Sequence, residues 1–400
     1  MHDQLTRTLA FGAITLLTVQ LVQADADPPL PIAPPETGIG IEVTGPIEVV
    51  FDWTTDRCYE FQIPDLPVRA FRDADGQINL VLSHDSAHAM RGADFDSLAI
   101  DCEPIMASSY DDDPSQFNNH EWVASVYTQD GRTVHALIHN EYQGNRYNTG
   151  CASRDYFQCW YNAVTSAIST DGGRNFSQPI EPPDHLVATI TETYTPDEGI
   201  FGAFSPSNII SFQGHFYALL KLQTYPFGDQ HVCLMRTENL SYPDSWRYWN
   251  GVEFSGIFAD PYRDNLREMR ATNCAPVGFN EIAQMYEGVV WHDGLERFVL
   301  VGTSNDPTRD PNPYGYYYAF SENLINWTRR MPLLEVRLPW RATGRQTTYL
   351  YPTLLDHDSE SRNFETTDGS AYLYFTRLNF GSGNLDRDLV RVPVRIGEHN

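Results

Sequence analysis

The chain has 400 residues, with 53 acidic against 27 basic side chains and a formal net charge of −26. A surface of that sign repels polyanions, so nucleic acid is excluded as an expected partner. Lys221 is the only lysine; the rest of the Lys and Arg total is arginine.

In chain order, Arg7 precedes an uncharged stretch, 9–22, that ends in Val22-Gln23-Ala24. This is the pattern of an export signal cleaved near Ala24, which predicts a secreted or periplasmic protein. No later segment offers the roughly 18 uncharged apolar residues of a spanning helix, so no membrane span is expected. Residues 25–45 begin with a proline-rich run that can form neither a helix nor a central strand, and are predicted to be a linker. The remainder, 46–400, is expected to be one all-β domain, acting as a monomer. Six cysteines (Cys58, Cys102, Cys151, Cys159, Cys233 and Cys274) in an exported chain point to disulfides, with Cys151 and Cys159 the most local candidate pair. CxxC spacing does not occur, and no metal or cofactor is expected as a requirement. The run Asp111-Asp112-Asp113 leaves a structural divalent cation open but reads as a solvated loop.

A weak unit recurs along the chain: an apolar strand, a tight turn with Gly, a second apolar or aromatic strand, then a polar turn ending in an aromatic. Its turns are Asp75-Gly76, Asp130-Gly131, Gln213-Gly214, Asp293-Gly294 and Asp368-Gly369. Each hairpin leaves room for two further strands, and helical periodicity is scarce. The expectation is a β-propeller of four-stranded antiparallel blades, five of them, with a sixth or seventh left open.

Ser169-Thr-Asp-Gly-Gly-Arg-Asn-Phe176 resembles the Asp-box of sialidases and related propellers, with weaker echoes at Ser321-Glu-Asn-Leu-Ile-Asn-Trp327 and at Thr237-Glu-Asn-Leu240 followed by Trp246. The chemistry of that box is structural: Asp and Gly build a turn, and the aromatic plugs between blades.

In a propeller the innermost strand of each blade lines the channel, so ligand-facing residues belong at the strand starts. Those starts are 65–69, 120–122, 204–208, 286–288 and 349–351, and they hold carboxylates, an Arg, a His and tyrosines where a β-core would use Val and Leu. Glu287-Gly288 resembles the Glu-Gly that carries the general acid in five-bladed glycoside hydrolases of the family 43 type. Ser205-Pro-Ser-Asn-Ile-Ile210 and Gly214-His-Phe-Tyr-Ala-Leu219 resemble that clan's Asp-Pro-Ser-Val and Gly-x-Tyr-Tyr-Leu strands, with Ser205 standing where the clan places an acidic residue. The resemblance implies a carbohydrate-active enzyme, a glycoside hydrolase acting on a poly- or oligosaccharide, with Glu287 as acid and Asp65 or Glu121 as its partner. Ser207, Asn208 and Tyr351 are candidate substrate contacts at the same strand starts.

Two other readings stay open. His120, Glu121, His139, Asn140 and Glu141 crowd the second hairpin, where a His base and a Tyr acid would suit β-elimination of a uronate polymer. Arg69 resembles the first inner-strand Arg of sialidases, with Arg69-Ala-Phe in place of Arg-Ile-Pro; Arg69, Arg270 and Arg345 are candidates to clasp a sugar carboxylate. Tyr142, Tyr147, Tyr156, Trp160 and Tyr161, around the loop between Cys151 and Cys159, are candidate sugar platforms. The third reading is a glycan-binding propeller without catalysis.

Overall fold

Four of the Gly turns close an antiparallel pair directly, Asp368-Gly369 instead ends a longer loop between two paired strands, and the pairs grow into five successive sets of strands. The computed structural model describes residues 28–34, 38–148, 150–225, 228–379 and 385–399; the expected export signal, 1–24, lies outside them. The first set is Arg69–Arg72, Ile78–Leu82, Ser86–Gly92 and Ala99–Ile100. The second is Glu121–Thr128, Val134–Gln143, Cys159–Ser169 and Leu186–Ala188. The third opens with Gly199–Pro206 and Ile210–Phe212 and continues through His215–Gln223, Gln230–Thr237 and Arg247–Trp249. The fourth runs Gly288–His292, Arg297–Asn305, Tyr314–Ser321 and Met331–Glu335. The fifth is Thr348–Leu355, Ser370–Leu378 and Arg387–His399.

The core shows how the sets are arranged. One apolar cluster joins the first and second sets through Phe71, Val81, Val123 and Ile138. Another joins the second and third through Leu137, Tyr161, Leu220 and Met235. The third and fourth share Leu219, Leu234, Val289 and Leu300, and the fourth and fifth share Val299, Tyr316, Leu373 and Val392. A further cluster, with Leu80, Val68, Leu355 and Leu389, returns from the fifth set to the first. Packing that passes from each set to the next and back to the start is a ring, and the fold is a β-propeller.

The ring is fastened by the N-terminal strands. Gly38–Val43 pairs with Arg387–His399 from Gly38 opposite His399 to Val43 opposite Val394, and Glu48–Phe51 pairs farther along the same strand. Leu30–Pro31 adds to the edge of the fourth set. The segment expected to be a linker, 25–45, is therefore partly woven into the sheets. Its Gly-Ile-Gly-Ile-Glu-Val run alternates apolar with small or polar residues, which is the pattern an open sheet edge accepts.

Arg69 lies on the axis. Its Nε donates to Ala124 O at 3.0 Å, Nη1 to Thr353 Oγ1 at 3.1 Å, and Nη2 to Pro206 O at 3.4 Å and Glu287 O at 2.7 Å. One side chain of the first set thus reaches the other four. At the opposite end of the inner strands, the loop 356–367 crosses the channel. Arg72 Nη1 donates to Ser359 O and Ser361 O, Asn363 exchanges hydrogen bonds with the Thr128 main chain, and Glu365 accepts from Ser211 N and Tyr127 Oη.

The 169–176 segment is a tight outer turn. Asp171 Oδ1 accepts from the Arg174 and Asn175 amides and from Ser169 Oγ; although burial works the other way, these bonds bring its pKa down to about 2. Gly173 sits at φ +80° with a Cβ position 2.3 Å from the Phe71 ring, so only glycine fits. Asn323 and the buried Trp327 repeat the arrangement in the fourth set. The six cysteines form Cys58–Cys102, Cys151–Cys159 and Cys233–Cys274. Among the described residues, no helix is long and apolar enough to cross a membrane.

Candidate active site

The starts of the inner strands converge on one face of the ring. There a cleft of about 990 Å³ opens and continues into a side lobe of about 500 Å³. Trp160, Ser205, Tyr286 and Tyr351 line both.

Asp65 stands at the cleft floor, just before the first inner strand. It is ion-paired with Arg387 and accepts from Tyr351 Oη at 3.2 Å, while His84 Nε2 lies 3.9 Å away. Burial opposes it, yet the Asp65 charge holds the Arg387 guanidinium above its ordinary value. Tyr351 reaches this point because the fifth inner strand shifts register between Leu350 and Thr353 and places Tyr351 at φ +62°.

Along the second set, His139 Nε2 lies 3.1 Å from Glu141 Oε1. The other Glu141 oxygen accepts from Tyr156 Oη at 2.9 Å and Gln143 Nε2 at 3.1 Å. Burial first, then the Glu141 charge, keeps the Tyr156 phenol far above its ordinary pKa. Tyr156 stacks on Trp160 with ring centroids 4.6 Å apart, both held by the loop that Cys151–Cys159 closes. Asp85, nearby, pairs with His120 Nδ1 at 2.9 Å; burial would raise its carboxyl, but His120 holds it below the usual range.

The side lobe belongs to Glu287. Its carboxyl is buried and accepts from the Tyr286 amide at 2.9 Å and the Thr303 amide at 2.8 Å. Burial pushes its pKa up in spite of those donors. Lys221 and Tyr314 line the same lobe.

Several expected site residues fall elsewhere. Arg69 is buried in the channel and spends its donors on the four neighbouring sets, so it faces no ligand; burial lowers its pKa to about 9. Glu121 precedes Trp122 in the strand and points to the opposite face, where Ser109 N and Gln178 Nε2 satisfy it. Asn140, opposite Glu121 in the ladder, donates to Asn119 O. Ser207 caps the Leu219 amide, and Asn208 binds both Val289 N and Val289 O, tying the third set to the fourth. His120 is fully buried behind Asp85. Arg270 ends a short helix and Arg345 lies in an exposed loop, neither of them on the cleft. Asp65, His139, Glu141, Tyr156, Trp160, Glu287 and Tyr351 are the expected residues that line the cleft or its lobe, whereas Tyr142, Tyr147 and Tyr161 do not.

Sequence reasoning missed Asp85, Tyr286, Lys221 and Arg387. The signal for Tyr286 and Lys221 was available: one adjoins Glu287, and the other is a solitary lysine. Arg387 carried none, because it reaches Asp65 across 322 residues. Among the described residues, the one His, Cys, Asp and Glu group spaced to hold a metal ion is Cys151, Cys159 and Asp197, whose two thiols form a disulfide. In the 111–113 run, Asp111 and Asp113 accept from backbone amides of their own turn.

No protein-family model and no curated protein matches the chain. Among solved structures it is similar to a protein of unknown function from Dyadobacter fermentans (11% identity, 88% of this chain and 99% of that one, TM-score 0.47). It is similar also to an endo-arabinase from Bacteroides thetaiotaomicron (11% identity, 86% and 97%, TM-score 0.46) and to an α-L-arabinanase from Cellvibrio cellulosa (13% identity, 81% and 91%, TM-score 0.42). At those identities and scores the likeness bears no weight on activity, and the functional reading rests on the cleft.

Proposed function

We propose that this protein is an exported glycoside hydrolase on a five-bladed propeller, cleaving an oligo- or polysaccharide with Glu287 as general acid and Asp65 as the partner carboxylate. The observation that carries the reading is that these two carboxyls open on one continuous cleft from opposite environments. Glu287 is buried and favoured in its protonated form, whereas Asp65 is paired with a guanidinium.

Glycoside hydrolysis requires that asymmetry. Glu287 gives its proton to the departing glycosidic oxygen. Asp65 serves the sugar carbon from the other side, through water or directly. Phe61, Tyr110 and Phe157 on the cleft and Trp340 on the lobe are each more than half exposed, and flat apolar faces of that kind stack on sugar rings. Three disulfides support an extracellular destination.

One observation favours a second reading. His139 and Tyr156 share Glu141 inside the cleft, with exposed Arg146 on its rim, the side chains that β-elimination of a uronate uses. A screen of neutral and uronate-containing polysaccharides, reading reducing ends and near-ultraviolet absorbance together, separates the two. Reducing ends without absorbance, abolished by Glu287→Gln and retained within a few-fold by His139→Ala, are expected. Absorbance that vanishes in His139→Ala would install the lyase instead, and glycan binding with neither signal would leave a binding module.

A further inference from the structure

Lys221 is the chain's one lysine, and it stands half-buried in the lobe that Glu287 lines. It lies in the strand His215–Gln223, and its Nζ sits 4.1 Å from the centroid of the Phe204 ring, in the lobe lined by Glu287. Among the described residues no hydrogen bond or ion pair engages this ammonium.

A chain that uses arginine at every other Lys or Arg position keeps lysine here. Guanidinium stays charged at every accessible pH and is broad and planar; an ammonium is compact and titrates when buried. Burial lowers the Lys221 pKa to about 8, against the opposing pull of the Glu287 charge. The other titratable groups around the pair are Tyr286, Tyr314, Tyr316, Tyr351 and the Arg69 guanidinium beneath. Burial raises the Tyr286, Tyr316 and Tyr351 phenols above their ordinary value, and Arg69 is committed to main-chain carbonyls and Thr353, so Lys221 is the cation that faces the lobe.

We propose that Lys221 is a positioning residue whose ammonium compensates the Glu287 carboxylate at the moment that carboxyl surrenders its proton. The proposal rests on Glu287 being the acid. In the step, the Glu287 O–H bond breaks, the proton bonds to the leaving-group oxygen, and the electron pair stays on the carboxylate. No proton leaves Lys221; its charge stabilises the anion that forms. The Phe204 face holds the ammonium from below and leaves its donors for the lobe.

Because the lysine is solitary, protein grown with 13C-lysine gives a single ε-CH2 signal that can be titrated without knowing the substrate. A wild-type midpoint near 8 is expected, falling by about one pH unit in Glu287→Gln because the compensating carboxylate is gone. A wild-type midpoint at the ordinary lysine value, or one unmoved in Glu287→Gln, overturns the pairing; should that variant not fold, the wild-type midpoint still decides. Once a substrate is in hand, Lys221→Met should lower kcat about 10- to 100-fold with little change in KM. It should also move the alkaline limb of the pH profile upward, since Glu287 without its cation holds its proton longer. An unmoved limb overturns the role. Coupling in the titration with no glycan turned over by the wild type would sink the hydrolase reading while leaving the pair intact.

Discussion

The guanidinium of Arg69 donates at 2.7 Å to the main-chain carbonyl of Glu287, so the first inner strand holds the residue proposed as the acid at the start of the fourth. The same side chain satisfies Ala124 O and Thr353 Oγ1. Arg69→Met removes the donors and leaves buried acceptors unpaired in four sets, a loss of about 3 kcal/mol or more. Denaturant unfolding followed by fluorescence should show the midpoint falling, and Arg69→Lys should not restore it, because an ammonium lacks the planar fork. A midpoint unchanged in Arg69→Met would mean that the axis does not depend on this residue.

Glu287 keeps its proton above the ordinary glutamate range because burial disfavours its charged form. The alkaline limb of kcat/KM should therefore lie above pH 4.5, the ordinary value for Glu. Glu287→Gln should lower kcat by about 10²-fold or more while leaving the unfolding midpoint and glycan binding close to wild type. Equal turnover in this variant would remove Glu287 from the chemistry.

Tyr156 and Trp160 stand on or beside the loop closed by Cys151 and Cys159, and they stack on each other in the cleft. Replacing both cysteines by serine frees that loop without touching Glu287 or Asp65. The expected outcome is a rise in KM of about 10-fold with kcat little changed, since ordering the platform then costs binding free energy. A fall in kcat alone would show that the loop takes part in the chemistry.

Far from the cleft, Glu365 is buried beneath Tyr127 and Ser211, and burial raises its pKa to about 7 from the ordinary 4.5. Between those values the folded protein binds a proton that the unfolded chain has released, so stability falls as pH rises through the window. The loss by pH 8 should approach about 3 kcal/mol. Unfolding midpoints at pH 5 and pH 8 should differ in the wild type and converge in Glu365→Gln. A wild type without that slope would place the Glu365 proton elsewhere.

The repeat was legible because turns and alternation are local. Asp75-Gly76, Asp130-Gly131 and Gln213-Gly214 each join two paired strands, and the aromatic of the 169–176 turn is buried, as the residue types require. The strand starts were found for the same reason, but not the face each side chain takes. In a strand, neighbours point oppositely, so Trp122 lines the cleft while Glu121 turns away. Arg69 was misread because an arginine that enters a ligand site and one that spans a channel have the same local sequence. Arg387 was invisible because its partner lies on the far side of the ring closure. The linker at 25–45 was judged by its prolines, which say nothing of Gly38–Val43 beyond them.

That closure has a consequence in time. Arg387–His399 is the strand against which Gly38–Val43 and Glu48–Phe51 are laid, so the fifth set of strands is composed of residues from both ends of the described chain. Neighbouring hairpins can form as soon as they leave the ribosome, but the seam cannot be sewn until Arg387–His399 has been made. Until then the inner faces of the first and fifth sets have no neighbour to cover them, and the newborn chain is an open arc with two sticky ends.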